Sequence, residues 1–290
     1  MSKFPKSLIR SLYDLQQGRI QTGNRIVAEI KSRLGQLPGM SEEQLEAEAK
    51  NYLADARAEY KRIADAFVLN KANSYMKPKF DDYRIISDPI MLIFVEVYEE
   101  QINQEEQIAK VVAKVVEKNP LWKHFLLDVK GCGALMSAVI LSEFDIHKAE
   151  RISQFWAYAG LDVCSDGNGR SRKKEHLVKQ TYIDKEGKEQ EKDGISFNPF
   201  LKTKLVGVLG SCLMKANGKY KTIYDNYKHR LENHCKHIEK TKLHRHNMAV
   251  RYMIKIFLQD LWMAWRELEG LEITKPYHEA KLGHTHRFNN

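Results

Sequence analysis

Apolar residues recur at helical spacing along most of this chain, and that pattern restricts it to a mostly α-helical fold. Residues 4–34 show the pattern first, because successive apolar side chains there fall on one helical face. The apolar positions of this segment are Leu8, Leu12, Leu15, Ile20, Ile26, Ile30 and Leu34. We expect one long helix that Pro38-Gly39 ends. A capping box at residues 41–44 then opens a second helix that runs to about Leu69.

A third long helix is predicted after a loop at residues 70–88. Asp88 is a favourable N-cap, and Pro89 suits the first helical position. The helix should run to about Asn119, a length of roughly 45 Å. Its apolar stripe is narrow and therefore needs a partner. Either the three helices pack on each other as an antiparallel bundle, or a coiled coil joins two protomers; we favour pairing between protomers, which makes the chain a homo-oligomer.

The remainder of the chain reads as a second helical domain with one polar interruption. We therefore predict two domains, a long helical hairpin or coiled coil at residues 1–119 and a helical domain at residues 120–290. Residues 163–197 are polar and contain glycines, and the stretch 181–189 fits a small β-hairpin around Glu186-Gly187. Helices resume at Asn198-Pro199 and continue to about Gly270, with breaks near Asn217-Gly218 and Lys240-Thr241.

Positive charge is concentrated in the C-terminal part of the chain. Residues 1–162 hold 22 Lys and Arg against 23 Asp and Glu, whereas residues 163–290 hold 25 against 15. This asymmetry favours a polyanionic partner, although a basic surface without a partner would give the same count. No apolar stretch is long enough to span a bilayer, so no membrane association is expected. The four cysteines form no CxxC pair and are expected to be free thiols.

The first local motif is a glycine-bearing turn between two helices at residues 129–134. A helix from Trp122 to Leu127, the turn and a following apolar helix together form a helix-hairpin-helix pattern. Gly131 and Gly133 permit a tight turn and close approach to a ligand. The free amides at the start of the second helix would then face a phosphate, with Lys130 adding a charge. The alternative is a plain turn with a structural role.

The second motif is a basic run that lies next to two glycines in the polar segment. Its cations are Arg170, Arg172, Lys173 and Lys174. A flexible arm of this kind suits contact with a nucleic-acid backbone, although a solvated charge run is the common alternative. Lys202 and Lys204, near the start of the helix from Asn198, are further candidates for nucleic-acid contact.

Several segments, taken in order, resemble one known family. They are Arg19–Ile26, Val129–Gly133, Phe155–Asp162, Gly169–Arg172, Asn198–Lys202 and Ala249–Leu258. Together they resemble the C-terminal portion of the DEDD/serine insertion-sequence transposases, which include bridge-RNA-guided recombinases and pilin-gene invertases. The resemblance implies a role in DNA transposition or recombination, and it leaves open whether the partner is DNA, a guide RNA or both.

Two departures from the family bear on catalysis. The family's RNase-H-like domain carries acidic metal ligands, and no strand-rich segment with an acidic quartet is found here. The resemblance implies a separate RNase-H-like nuclease subunit. The family also has a nucleophilic serine, and an ungapped match puts Asn168 at that position. Ser165 and Ser171 are the nearby candidates, and neither has an evident general base in the sequence.

A histidine cluster near the C-terminus is the remaining metal-like pattern. It comprises His234, His237, His244 and His246, of which the first two would share a helical face. A basic helix with exposed histidines explains the cluster better than zinc does, so we expect no metal site and no cofactor in this chain. The four tryptophans lie at helical spacing and are expected in the core.

The sequence therefore predicts a cytoplasmic, nucleoid-associated, nucleic-acid-binding protein of transposase or recombinase type, with the nuclease function supplied elsewhere. Two alternatives stay open. One is an autonomous recombinase with a serine nucleophile, and the other is a non-catalytic structural or regulatory dimer.

Overall fold

The computed structural model describes residues 4–35, 51–69 and 79–274, and the chain is mostly helical, as predicted. The described residues of 7–111 form one compact unit, and those before 7 and from 112 onward form the other. The boundary between the units falls within a long helix. The predicted division at residue 119 stays a prediction, because it concerns domains that fold independently.

Three long helices build the first unit, namely α1 (Lys6–Arg33), α2 (Tyr52–Leu69) and the first part of α3 (Pro89–Glu117). Asp88 caps α3 as predicted, because the Met91 amide donates to Asp88 Oδ1 at 2.9 Å. The helices and the segment before α3 share an apolar core of Ile26, Ile30, Tyr52, Ala56, Ile63, Ile85, Ile86, Met91, Val95 and Tyr98. Pairing between protomers remains a prediction. The predicted turn at Pro38-Gly39 and the capping box at residues 41–44 lie outside the described residues.

A buried carboxylate fixes the segment that leads into α3. Glu59, on α2, is only 6% exposed and accepts three backbone hydrogen bonds. The donors are the amides of Arg84 at 3.1 Å, Ile85 at 2.9 Å and Ile86 at 2.8 Å. Since these amides have no helical or sheet partner, the carboxylate supplies the hydrogen bonds that burial demands.

The second unit holds shorter helices around one long C-terminal helix. They are α4 (Pro120–His124), α5 (Ala134–Glu143), α6 (Ile152–Tyr158), α7 (Pro199–Lys202), α8 (Gly210–Lys215), α9 (Lys219–Asn233) and α10 (Lys242–Leu268). A π-helical stretch, Thr203–Leu209, joins α7 to α8. Asn198 caps α7 with its side chain, which confirms the predicted start there.

α10 supplies more buried apolar residues to this core than any other helix, and α5 is buried along most of its length. Every residue of α5 from Met136 to Glu143 is buried. On α10, Trp262 and Trp265 are buried as predicted, and the Trp262 indole donates to the Ala149 carbonyl at 2.8 Å. Trp122 and Trp156 are only half-buried. The four cysteines are free, which confirms that prediction.

The predicted β-hairpin is present. Strands β1 (Val178–Ile183) and β2 (Glu189–Gly194) pair antiparallel, with Ile183 opposite Glu189. They form the only sheet within the described ranges. Both strands are largely exposed, so the hairpin adds little to the core.

Two predicted helices need correction. The helix expected from Trp122 to Leu127 ends at His124, and a 3₁₀ turn at Leu126–Asp128 follows it. His234 and His237 do not share a helical face, because α9 ends at Asn233 and turns occupy residues 235–239. No helix among the described residues is long and apolar enough to cross a membrane.

Candidate active site

The polar segment between α6 and β1 folds back on itself as a tight loop. Val163 and Gly169 form an isolated β-bridge, and the Cys164 amide donates to the Asn168 carbonyl at 2.8 Å. The Gly167 amide closes the turn on the Cys164 carbonyl at 3.0 Å. This loop brings Asp166 next to the start of the hairpin, where a serine and a histidine lie.

Ser171 and His176 are hydrogen-bonded to each other twice. The Ser171 Oγ atom lies 2.8 Å from His176 Nδ1, and the Ser171 backbone amide donates to the same nitrogen at 3.0 Å. A backbone N–H can only donate, so Nδ1 is an acceptor and the ring proton of the neutral imidazole sits on Nε2. Nε2–H then donates to Asp166 Oδ2 at 3.0 Å.

The three side chains therefore form a chain of nucleophile, base and carboxylate. The Ser171 hydroxyl oxygen also accepts from the Lys173 amide at 3.2 Å, so its proton is left to point at Nδ1. The His176 side chain is 2% exposed, whereas Ser171 is half-buried and reachable. A serine whose hydroxyl faces an oriented imidazole has the activation that a nucleophile requires.

Asp166 is held in place by its neighbour Asn168. The Asn168 side-chain amide donates to Asp166 Oδ2 at 2.9 Å, and its backbone amide donates to Oδ1 at 2.9 Å. These bonds, with the one from His176, hold the pKa of Asp166 well below its ordinary value. The carboxylate is therefore ionised and suited to stabilise a positive charge on His176.

Arg170, the first cation of the basic run, is used inside the loop. Its Nε atom donates to Asp162 Oδ2 at 2.6 Å, and an Nη atom donates to the His176 carbonyl at 3.3 Å. Arg170 thus fixes the backbone on which the imidazole sits. Arg172, Lys173 and Lys174 are exposed.

A cleft of about 490 Å³ lies between this loop and the helices α9 and α10. Ser171 and His176 line one side of it, and cationic and aromatic side chains line the other. The latter are Lys240, His244, Arg251, Lys255, Tyr227 and Tyr252, with Lys173 at the loop side. The cleft therefore combines an oriented serine with positive charge, an arrangement that suits an anionic substrate.

Two cations of α10 are fixed beside the loop. An Arg251 Nη atom donates to the carbonyls of Gly160 and Asp162, each at 3.2 Å. Lys255 lies with its ammonium 4.4 Å from the Trp156 ring centroid. Burial lowers the pKa of both side chains, and the charge of Arg251 lowers the pKa of Lys255 further.

Lys202 and Lys204 lie on the next helical segment. The Lys202 ammonium donates to the Arg170 carbonyl and lies 4.7 Å from the Phe197 ring. Burial, followed by the charge of Arg251, lowers its pKa to about 8. The Lys204 ammonium lies 5.5 Å from the Phe200 ring, and burial lowers its pKa too.

The glycine-bearing turn of the helix-hairpin-helix pattern lies elsewhere in the unit. Gly131 has a φ of +94°, and a Cβ there would come within 2.8 Å of the Cys212 carbonyl oxygen. Close packing against α8 therefore explains why this position is a glycine. Gly133 caps α5 and has open space where a Cβ would project, and Lys130 is exposed. Contact of this turn with nucleic acid stays a prediction.

Of the two serine candidates, only Ser171 has a base. Ser165 is exposed, and none of the described hydrogen bonds joins it to a histidine or carboxylate. Sequence reasoning missed His176, because nothing marked it within a polar stretch. The available signal was the short spacing of Asp166, Ser171 and His176, which one folded loop can bring together.

Cys164, Asp166 and His176 also offer ligand atoms within 4.8 Å of one another. A metal ion would need the lone pair of His176 Nε2, the nitrogen that here carries the proton donated to Asp166. The hydrogen bonds of His176 are therefore those of a base and not those of a metal ligand. The histidine cluster near the C-terminus is spread over a turn and α10, and within it the His234 and His237 rings lie 5.3 Å apart.

One family model matches part of the chain. Residues 123–182 match the family model of the IS116/IS110/IS902 transposases, a segment that is about a fifth of the chain and contains both Ser171 and His176. The match supports a transposase- or recombinase-type role. No curated protein and no solved structure matches the chain significantly.

Proposed function

We propose that this transposase-type chain uses the Ser171 hydroxyl as a nucleophile on a DNA phosphodiester. The observation that carries the proposal is the hydrogen-bonded chain from Ser171 through His176 to Asp166, at the edge of a cationic cleft. Each member has the type and spacing that general-base activation of a serine requires. The expectation that Ser171 lacks a base is thereby replaced.

The proposed step conserves atoms and charge. His176 Nδ1 takes the Ser171 proton as Oγ attacks phosphorus, and one phosphorus–oxygen bond to the sugar breaks. The products are a phosphoserine link between protein and strand and a free hydroxyl on the released strand, which gains a proton. Asp166 stabilises the imidazolium through Nε2–H. Attack by a strand hydroxyl on the same link reverses the step and joins DNA, without a high-energy cofactor.

Cations of the cleft would bind the phosphate and stabilise its added charge. Arg251 and Lys255 come from α10, and Lys173 comes from the loop that carries Ser171. Fixed cations at a partly desolvated site lower the energy of a charged transition state more than mobile solvent does. Arg172 and Lys174 flank Lys173 in sequence and would contact the neighbouring backbone.

A second component fits this proposal. We keep the hypothesis that a metal-dependent, RNase-H-like nuclease acts with this chain, and that the chain assembles as a homo-oligomer on DNA, with a guide RNA as a further partner. Such a nuclease would act on a different bond from Ser171. A protein that binds DNA without chemistry is the outcome to be distinguished by experiment.

The test is a search for the covalent link. The full chain is incubated with supercoiled plasmid and with labelled oligonucleotides, in Mg²⁺ and in a chelator, with and without a candidate nuclease partner. We expect a denaturation-resistant protein–DNA adduct whose mass maps to Ser171. Ser171→Ala should abolish it, and His176→Gln should reduce it by about 10²- to 10⁴-fold, the usual contribution of a general base.

Ser165→Ala serves as the matched control and should keep the adduct. An adduct that maps to Ser165 would overturn the assignment. Tight DNA binding with no adduct under any condition, the nuclease partner included, would leave a binding protein and refute the nucleophile.

A further inference from the structure

Two tyrosines on the helical side of the cleft stack on each other. Tyr227, on α9, and Tyr252, on α10, have ring centroids 4.0 Å apart and planes inclined by 11°. Both are half-buried, and both line the cleft that contains Ser171. The pair therefore presents stacked aromatic surface to whatever occupies the cleft.

Cations adjoin this pair along α10. Arg251 precedes Tyr252 directly, and Lys255 lies one helical turn beyond Arg251, on the same face. A nucleotide whose phosphate lies on these cations carries its base beside that phosphate. Charge for the backbone and an aromatic face for the base are the two elements that single-strand-binding sites combine.

We propose that Tyr227 and Tyr252 form a stacking site for an unpaired nucleobase next to the phosphate that Ser171 attacks. This inference rests on the proposed action on nucleic acid and adds a substrate class to it. In a duplex, each base is stacked between its neighbours, so its faces are closed to a side chain. The cleft therefore selects a strand that is locally unpaired at the reacting position.

Tyrosine chemistry fits a neutral stacking role. Burial raises the pKa of Tyr252, so its hydroxyl stays protonated at neutral pH and adds no negative charge beside a phosphate. Stacking is tolerant of sequence because every base has a π face. The site would therefore sense whether the strand is unpaired and would carry little sequence information.

The experiment measures binding without chemistry, in a Ser171→Ala background. Fluorescence anisotropy is recorded with single strands of about ten nucleotides, within the span of known single-strand sites. The same sequence is tested as DNA, as RNA and as duplex DNA. We expect Tyr252→Leu and Tyr227→Leu to weaken single-strand binding about tenfold, the usual value of one stacked base, and to leave duplex binding unchanged. The DNA and RNA arms identify which strand the site prefers.

Matched variants separate stacking from folding. Tyr252→Phe keeps the ring and should bind as the parent does. Tyr182→Leu, on the exposed hairpin, removes a tyrosine outside the cleft and should also have no effect. A single strand that carries abasic sites should bind the parent about tenfold more weakly, and Tyr252→Leu should not distinguish it from the intact strand.

Abasic and intact strands that bind the parent equally would overturn the stacking site, whatever the variants do. So would a Tyr252→Leu loss of equal size on single strands and duplex. Neither result depends on adduct formation. Failure of the Ser171 mechanism and failure of the stacking site are therefore recorded separately.

Discussion

Asn168 donates two hydrogen bonds to Asp166, one from its side-chain amide and one from its backbone, both at 2.9 Å. The sequence resemblance, matched without a gap, implies a serine at the position of Asn168. Here Asn168 orients the carboxylate behind His176, and the hydroxyl three residues later faces the imidazole. Under the proposed mechanism the reactive oxygen is that of Ser171, and Asn168 acts as a positioning residue.

Removal of the Asn168 side chain should slow adduct formation and leave the fold intact. Asn168→Ala removes one of the two donors to Asp166 Oδ2, so the carboxylate is oriented less firmly toward His176 Nε2. We expect a rate reduction of about 10- to 100-fold, as for other small misplacements at a reacting centre. Asn168→Asp should be slower still, because a second negative charge replaces the donor. Quenched-flow measurement of the adduct gives these rates.

The control for this series is Asn226→Ala, an exposed asparagine of α9. Its adduct rate and its melting temperature should equal those of the parent. Equal rates for Asn168→Ala and Asn168→Asp, with a matching fall in melting temperature, would indicate a purely structural role.

The helices and the hairpin could be predicted from the sequence where a single local rule determines where they begin or turn. Asp88 and Asn198 both act as helix caps, because a short side-chain acceptor directly before a proline is a local signal for the start of a helix. The hairpin around Gly187 follows from its turn residues. Ser171 could be named as a candidate from the sequence, but its base could not, because His176 meets Ser171 and Asp166 only when the loop folds back. The role of Glu59 could not be predicted either, because its three amide donors lie more than twenty residues away in the sequence.

The basic run should divide into one structural and three binding cations. Arg172, Lys173 and Lys174 are exposed, so their joint replacement by alanine should flatten the dependence of log affinity on log salt. Each lost phosphate contact removes roughly 0.9 from the slope on duplex DNA. Arg170→Ala should instead lower the melting temperature, because Asp162 and the His176 carbonyl lose their donor. Titration at several salt concentrations and thermal unfolding measure the two effects.

Lys185 and Lys188, exposed on the hairpin turn, provide a control that removes positive charge outside the basic run. Their double replacement by alanine should leave the slope unchanged. A slope that is equally insensitive to the loss of Arg172, Lys173 and Lys174 would remove this segment from the interface.

The cysteines should differ sharply in reactivity. Burial raises the pKa of the Cys132 thiol to about 12, so at pH 8 only about one molecule in ten thousand carries the reactive thiolate. Cys235 is exposed. Alkylation followed by mass spectrometry should label Cys235 at least a hundredfold faster. In denaturant the two rates should converge, and fast native labelling of Cys132 would contradict its burial.

The glycine-bearing turn offers a pair of substitutions that separate packing from nucleic-acid contact. Gly131→Ala should destabilise the protein by about 2 kcal/mol or more, because its φ of +94° disfavours a side chain. The new Cβ would also meet the Cys212 carbonyl oxygen at 2.8 Å. Thermal unfolding measures the loss, and an unchanged melting temperature would mean that the turn and α8 move apart easily.

Gly133→Asp should act on binding alone. The residue caps α5, nothing lies within 4 Å of a Cβ there, and aspartate is a favoured N-cap, so the melting temperature should hold or rise. If the α5 amides face a phosphate, the new carboxylate occupies them and repels it. We then expect duplex affinity to fall about tenfold and the salt slope to drop by roughly 0.9, one phosphate contact. Lys130→Ala should reduce the slope similarly, since its charge adjoins the same amides. A stable Gly133→Asp protein with parental affinity would assign the turn a structural role and leave binding to the cleft and the basic run.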